Sequence, residues 1–201
     1  MSNNQNEGHP GALIDQIATY AHASLPQFPN IILLMAGTND INNNANVSTA
    51  PSRLGALIDL CVSSCPNAVL LVAELTPILN NDSQARADVF NAAVPGLVKE
   101  RVGRGKKVLA VNMTSYMGVD ELMDGLHPND EGYEAMARAF YDGIREAAGK
   151  GWIGKAGNEA GGIGTVSSMV AASSGMRVIE GVDGWVGLGL AFMIGVVSQL
   201  L

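Results

Sequence analysis

An acid and a histidine three positions apart pose the question of chemistry in this chain of 201 residues. In Asp124-Gly125-Leu126-His127-Pro128, the carboxylate can hold the Nδ1–H of the imidazole, which fixes the tautomer and leaves Nε2 as a base. The pair follows an apolar run ending near Val111 and precedes a helical pattern starting near Asn129. Pro128 suits the first turn of that helix, with its fixed φ and no N–H to satisfy. Two other stretches carry residue types suited to a site. Gly8-His9-Pro10-Gly11 stands just ahead of a helical pattern, and Gly37-Thr38-Asn39-Asp40 stands directly after an apolar run. Taken singly, each has a plainer reading. Asn39-Asp40 is also turn chemistry, Asp124 also makes local turns, His127 is also a surface residue, and Gly11 is also a helix-entry glycine. Asp40 reads as structural, bonding loop amides, and His9 and His22 read as solvated.

The surrounding pattern alternates helix and strand. Residues 12–23 carry a helical stripe of Leu13, Ile14, Ile17, Ala18 and Ala21, ended by Pro26 and Pro29. Residues 30–36 are a continuous apolar run, as expected of a parallel strand covered on both faces. A second helix, capped by Ser48 or Thr49 with Pro51 in its first turn, buries Leu54, Leu57, Ile58, Cys61 and Val62. Residues 68–75 form a second apolar run. A third helix starts at Asp82 or Ser83, with Val89, Ala93, Val94, Leu97 and Val98 as its apolar residues, a kink expected at Pro95-Gly96, and Gly103 and Gly105 closing it. Residues 107–111 read as a strand and 112–126 as a loop. The final helix, 129–148, turns Tyr133, Met136, Ala137, Phe140 and Ile144 inward. Short connections between alternating elements predict an α/β three-layer fold with a parallel sheet and right-handed crossovers. In such folds the site lies beyond the C-terminal strand ends, where Asn39 and the Asp124/His127 loop both fall.

Composition narrows the partners. Hydrophobic residues make up 47% and charged residues 15%, with a formal charge of −7 and no long Lys/Arg cluster, which argues against nucleic acid. Cys61 and Cys65 lack a second cysteine pair or a nearby histidine, so no metal site is expected. They read as two semi-buried thiols. The first residues are polar and carry no apolar core of a secretory signal.

The three motif stretches, in this order and on these elements, resemble the SGNH hydrolases, the GDSL-type esterase/lipase superfamily. Gly8–Gly11 resembles the second block of that family, Gly37–Asp40 the third and Asp124–His127 the fifth. The run through Trp152 resembles fungal secreted carbohydrate esterases of the acetylxylan-esterase type. The resemblance implies a flavodoxin-like α/β/α fold over residues 1–150, carboxylic ester hydrolysis by Ser-His-Asp acyl transfer, and an acylated carbohydrate or small ester as substrate. It implies that Asp124 and His127 are catalytic and that the Gly11 N–H and the Asn39 amide form an oxyanion hole. Glycine at 11 would let the backbone approach the substrate closely. No cofactor is implied, because a serine mechanism needs none.

The family's first block, Gly-Asp-Ser at the end of the first strand, has no counterpart. Only ten residues precede Gly11, and Ser2 has neither a strand nor Gly-Asp before it. The expectation is therefore a sheet missing its first strand or strands, an exposed apolar edge, poor solubility and little turnover. A catalytically inactive, membrane-tethered binding module and a mispredicted gene fragment are the alternatives. Residues 151–184 read as a Gly/Ala/Ser-rich linker. Residues 185–201 are apolar and uncharged, and three readings compete: a membrane anchor, a lipid-anchor signal and a gene-model artefact. The resemblance implies an extracellular or cell-surface parent protein, with membrane contact through the tail as one option. The oligomeric state is left open.

Overall fold

A computed structural model of the chain describes residues 6–154 and 192–194. Its centre is a five-stranded, wholly parallel sheet in the order β1-β5-β2-β3-β4. The strands are β1 (Asn6–Glu7), β2 (Ile31–Leu34), β3 (Val69–Ala73), β4 (Val108–Val111) and β5 (Phe192–Ile194). Every residue of β2 and β3 is buried, as their unbroken apolar runs require of strands covered on both faces. The register pairs Leu34 with Val72 and Ala73 with Val111, so the C-terminal ends of β2, β3 and β4 form one rim.

Among the described residues, five α-helices flank the sheet: α1 (Ile14–Ser24), α2 (Thr38–Asn42), α3 (Ala50–Ser64), α4 (Asn81–Gly103) and α5 (Asp130–Gly149). Helices α1, α3 and α4 pack side by side in a layer, while α5 packs on the other face against β3 and β4. That placement follows from right-handed crossovers, because α3 and α4 join strands added in one direction and α5 leaves the last of them. Gly143 of α5 sits against Leu71 and Val111, where a Cβ would lie 2.5 Å from the Leu71 Cδ2.

Several boundaries differ from the sequence expectation. The Gly-Thr-Asn-Asp stretch is a short helix, α2, and not a turn. Residues 6–7, part of the polar N-terminal stretch, pair as β1, and the 112–126 loop contains two 3-10 turns, Met113–Ser115 and Val119–Glu121. The cap of α4 is Asn80, whose side chain accepts the Ser83 N–H at 3.0 Å, so the helix begins at Asn81, one or two residues before the expected Asp82 or Ser83. α4 is assigned without a break through Pro95. Its buried aromatic is Phe90, and Val89 is exposed, because the Phe90 ring fills the space over Gly37, 2.7 Å from where a Cβ would stand. Thr49 occupies the cap position of α3 without a side-chain cap bond. Cys61 and Cys65 are both buried free thiols, and burial pushes Cys61 up to about 12.

The most unexpected element is β5. Sequence patterning leaves the edge of β2 open, whereas Phe192–Ile194 pairs with it in parallel, Leu33 against Met193, and pairs on its other side with β1. The rest of the 185–201 tail and most of the 151–184 linker lie outside the described residues. Among the described residues, no helix is long and apolar enough to cross a membrane.

Candidate active site

The segment between β4 and α5 is folded back on itself before it reaches α5. Leu122 and Pro128 form an antiparallel bridge, the Met123 N–H donates to the His127 carbonyl at 2.7 Å, and the Asn129 N–H donates to the Glu121 carbonyl at 2.8 Å. Asn129 then caps α5 by accepting the Gly132 N–H at 2.9 Å. Within this closed loop the Asp124 carboxylate takes three donors. Oδ2 stands 2.6 Å from His127 Nδ1, and Oδ1 accepts the backbone N–H of His127 at 2.8 Å and of Leu126 at 3.0 Å. The two backbone bonds close a local turn of the kind Asx side chains favour, and the third aims the imidazole. The backbone bond from His127, then the bond to its ring, then the Leu126 N–H pull the Asp124 carboxyl down to about 2, since donors to a carboxylate favour its charged form. Gly125 occupies φ +86°, and a Cβ there would stand 2.9 Å from the Leu79 Cβ, so this link between acid and base accepts glycine and little else.

The His127 side chain is only 8% exposed. Its Nε2 is buried and has no hydrogen-bond partner among the described residues. A donor held at Nδ1 and an unpartnered buried nitrogen at Nε2 is the arrangement of a base waiting for a proton donor. The carboxylate beside Nδ1 holds the proton on that nitrogen.

On the same rim, Gly37 at φ +122° turns the chain from β2 into α2. Asn39 is buried, and its Nδ2 donates to the Ala12 carbonyl at 3.0 Å. The bond uses one of two amide hydrogens and ties Asn39 to the loop that carries Gly11. Gly11 itself adopts φ +75° and is exposed, with nothing within 4 Å of a Cβ position; the backbone conformation, more than crowding, calls for glycine there. None of the described hydrogen bonds uses its N–H. Asp40 is wholly buried and structural, as its sequence context suggests. Its Oδ2 accepts the Ile14 N–H at the start of α1, and its Oδ1 accepts from Arg53 at 2.5 Å. His9 stacks on Tyr20 with ring centroids 3.9 Å apart, and His22 is an exposed residue of α1.

The structure thus pairs Asp124 with His127 and Asn39 with the Gly11–Ala12 loop. The Gly11–Ala12 loop follows β1, whereas Asn39 follows β2 and the Asp124/His127 loop follows β4; β3 separates those last two strands, whose C-terminal ends lie about 10 Å apart. Glu74 stands between them, immediately after β3, and sequence patterning passed it over. It is 9% exposed, its N–H donates to the Val111 carbonyl at 2.9 Å, and burial raises its carboxyl above the ordinary range. Its signal in the sequence was a lone charge ending an otherwise apolar strand. No cluster of His, Cys, Asp and Glu suited to a metal ion occurs among the described residues.

A parallel sheet flanked by helices on both faces, with a carboxylate-steadied histidine and a buried asparagine along its C-terminal rim, is the architecture of an α/β acyl hydrolase. The chain belongs to the GDSL-like lipase/acylhydrolase family, whose profile matches residues 2–135. Among solved structures it is similar to a Clostridium thermocellum family 3 carbohydrate esterase, with 31% identity, a TM-score of 0.61 and 71% of each chain covered. A carbohydrate esterase family 3 structure from Talaromyces cellulolyticus shares the fold, with 24% identity, a TM-score of 0.63 and 72% of each chain covered. A Ruminococcus flavefaciens protein named multidomain esterase is 28% identical over 122 residues, 58% of this chain. An Acetivibrio thermocellus protein bearing the name endoglucanase X is 32% identical over 116 residues. The chain spans 49% of the Acetivibrio protein and 16% of the Ruminococcus protein.

Proposed function

We propose that this chain carries the acid–base and oxyanion half of a serine esterase that deacylates carbohydrate, and that the nucleophilic serine is not among its residues. The observation that carries the reading is the buried, unpartnered Nε2 of His127, held from behind by Asp124. In acyl transfer that nitrogen takes the proton of the attacking hydroxyl and returns it to the leaving alcohol, while Asp124 stabilises the imidazolium. The second amide hydrogen of Asn39 and the N–H of Gly11 are the donors for the carbonyl oxygen as it gains charge. The carbohydrate part of the proposal draws on the family 3 carbohydrate esterase resemblance. The site residues supply every function of such a reaction except the hydroxyl.

The chain as it stands should therefore turn over p-nitrophenyl acetate no faster than its His127→Ala variant, and robust His127-dependent hydrolysis would overturn the missing serine. A chain extended upstream of Met1 by an apolar strand ending in Gly-Asp-Ser should gain hydrolysis that His127→Ala lowers on the order of 10³-fold or more. A folded, extended chain without that gain overturns the esterase reading. The same unpartnered Nε2 favours a second reading, a catalytically inactive module that keeps the fold; sugar binding without any gain on extension is its signature.

A further inference from the structure

Two of the most exposed large apolar side chains in the described residues belong to the acid–histidine loop or lie against it. Leu79 is 62% exposed and Met123 is 73% exposed. Scattered exposed apolar residues are ordinary. These two are not scattered. The Leu79 N–H donates to the Gly125 carbonyl at 2.8 Å, and the Leu79 side chain lies over Gly125, within the Asp124–His127 turn. Met123 directly precedes Asp124, and its N–H is bonded to the carbonyl of His127. Both residues are therefore tied by backbone bonds to Gly125 and His127 of the same turn, and both side chains are left mostly in water.

The chemistry of the site says which part of a substrate reaches them. His127 returns its proton to the leaving oxygen, so the alcohol of the ester lies on the histidine side. The carbonyl oxygen lies toward Asn39 and Gly11, on the far side of β3 along the rim. A sugar alcohol carries hydroxyls around its edge and C–H groups on its ring faces. Apolar side chains recognise the faces and leave the hydroxyls in water.

We propose that Leu79 and Met123 form an apolar lip that seats a C–H face of the sugar ring of the leaving alcohol. The proposal rests on the carbohydrate-esterase reading and extends it to a named subsite. The β3–α4 connection, which contributes Leu79, then selects the alcohol, whereas the Asp124–His127 loop supplies both the base and the other half of the lip. Burial of part of two apolar side chains makes a shallow site with weak affinity.

The test uses the full chain carrying 13C-methyl methionine, with the Met123 signal assigned from its loss in Met123→Gln. Methyl β-D-glucopyranoside is the probe, and glycerol, which has hydroxyls without a ring face, is the control. The Met123 methyl signal should move along a saturating curve with the glucoside and stay put with glycerol, while the buried Met113 methyl is unmoved by either. Leu79→Asp should weaken the apparent affinity roughly tenfold. Both variants change exposed side chains, and their folding is checked by the unchanged Met113 signal. A Met123 signal that ignores the glucoside, or that responds equally to it in Leu79→Asp, overturns the lip. The two readings fail separately: the titration needs no hydrolysis, so a lip that binds in a chain whose serine-extended form has no hydrolysis overturns the esterase alone.

Discussion

Replacing Asp124 by asparagine removes one interaction and keeps the shape. The Asn Oδ1 still accepts the N–H groups of His127 and Leu126, but an amide NH₂ faces Nδ1 where a carboxylate oxygen stood at 2.6 Å. Two donors then meet, so the ring must carry its proton on Nε2, the nitrogen that acyl transfer needs as a base. The carboxyl is pulled from 3.8 to about 2 in the folded chain. Taken whole, that shift is worth ~2.5 kcal/mol. With the side chain 47% exposed, screening by water reduces it to ~1 kcal/mol. Because the folded value is the lower one, this stability is present above pH ~4 and is lost as the pH falls toward ~2. Urea unfolding at pH 7 should show Asp124→Asn less stable by ~1 kcal/mol, and the gap should close near pH 2. Long-range ¹H–¹⁵N spectra at pH 8 should show the Nδ1–H tautomer of His127 in the parent and the Nε2–H tautomer in the variant. An unchanged tautomer, or a stability gap that persists undiminished at pH 2, would refute the assignment of Asp124 as the group that orients the base.

Gly125→Ala adds a Cβ at φ +86° against the Leu79 Cβ and should lower stability by ~2 kcal/mol or more by thermal or urea unfolding. Asp40→Ala leaves Arg53 without its close partner and the Ile14 N–H without its acceptor; a loss of ~3 kcal/mol or more is expected in urea. Glu74→Gln replaces a carboxylate that burial disfavours. A carboxyl raised in the folded chain costs stability as the pH climbs above its unfolded value, so the variant should melt higher than the parent at pH 7 and the difference should shrink at pH 4.

The alternation of helix and strand was readable because β2 and β3 are covered on both faces and therefore carry unbroken apolar runs. The acid–histidine turn was readable for a local reason: an aspartate that bonds the N–H groups two and three residues ahead needs only the intervening glycine to close. What escaped sequence reading depends on partners far along the chain. Phe90 rather than Val89 faces inward because Gly37, more than fifty positions earlier, leaves room for its ring. Leu79 earned no notice beside Ile78 in a loop, since its bond to Gly125 exists only after β3 and β4 are side by side. The two-residue β1 has no periodicity to detect, and β5 was hidden inside a uniformly apolar tail whose pattern fits a membrane as well as a sheet.

β5 also fixes the order in which this molecule can be finished. Asn6 and Met193 are neighbours across a parallel ladder although nearly the whole polypeptide lies between them, and closing so long a loop costs about 5 kcal/mol of chain entropy. On a ribosome, β2, β3 and β4 are translated about eighty residues before Phe192, and over that interval the growing chain carries a bare backbone ladder along Ile31–Leu34. That interval exposes it to strand-for-strand association with neighbouring nascent chains, and the yield of folded protein should depend on how quickly the codons between Val111 and Phe192 are read.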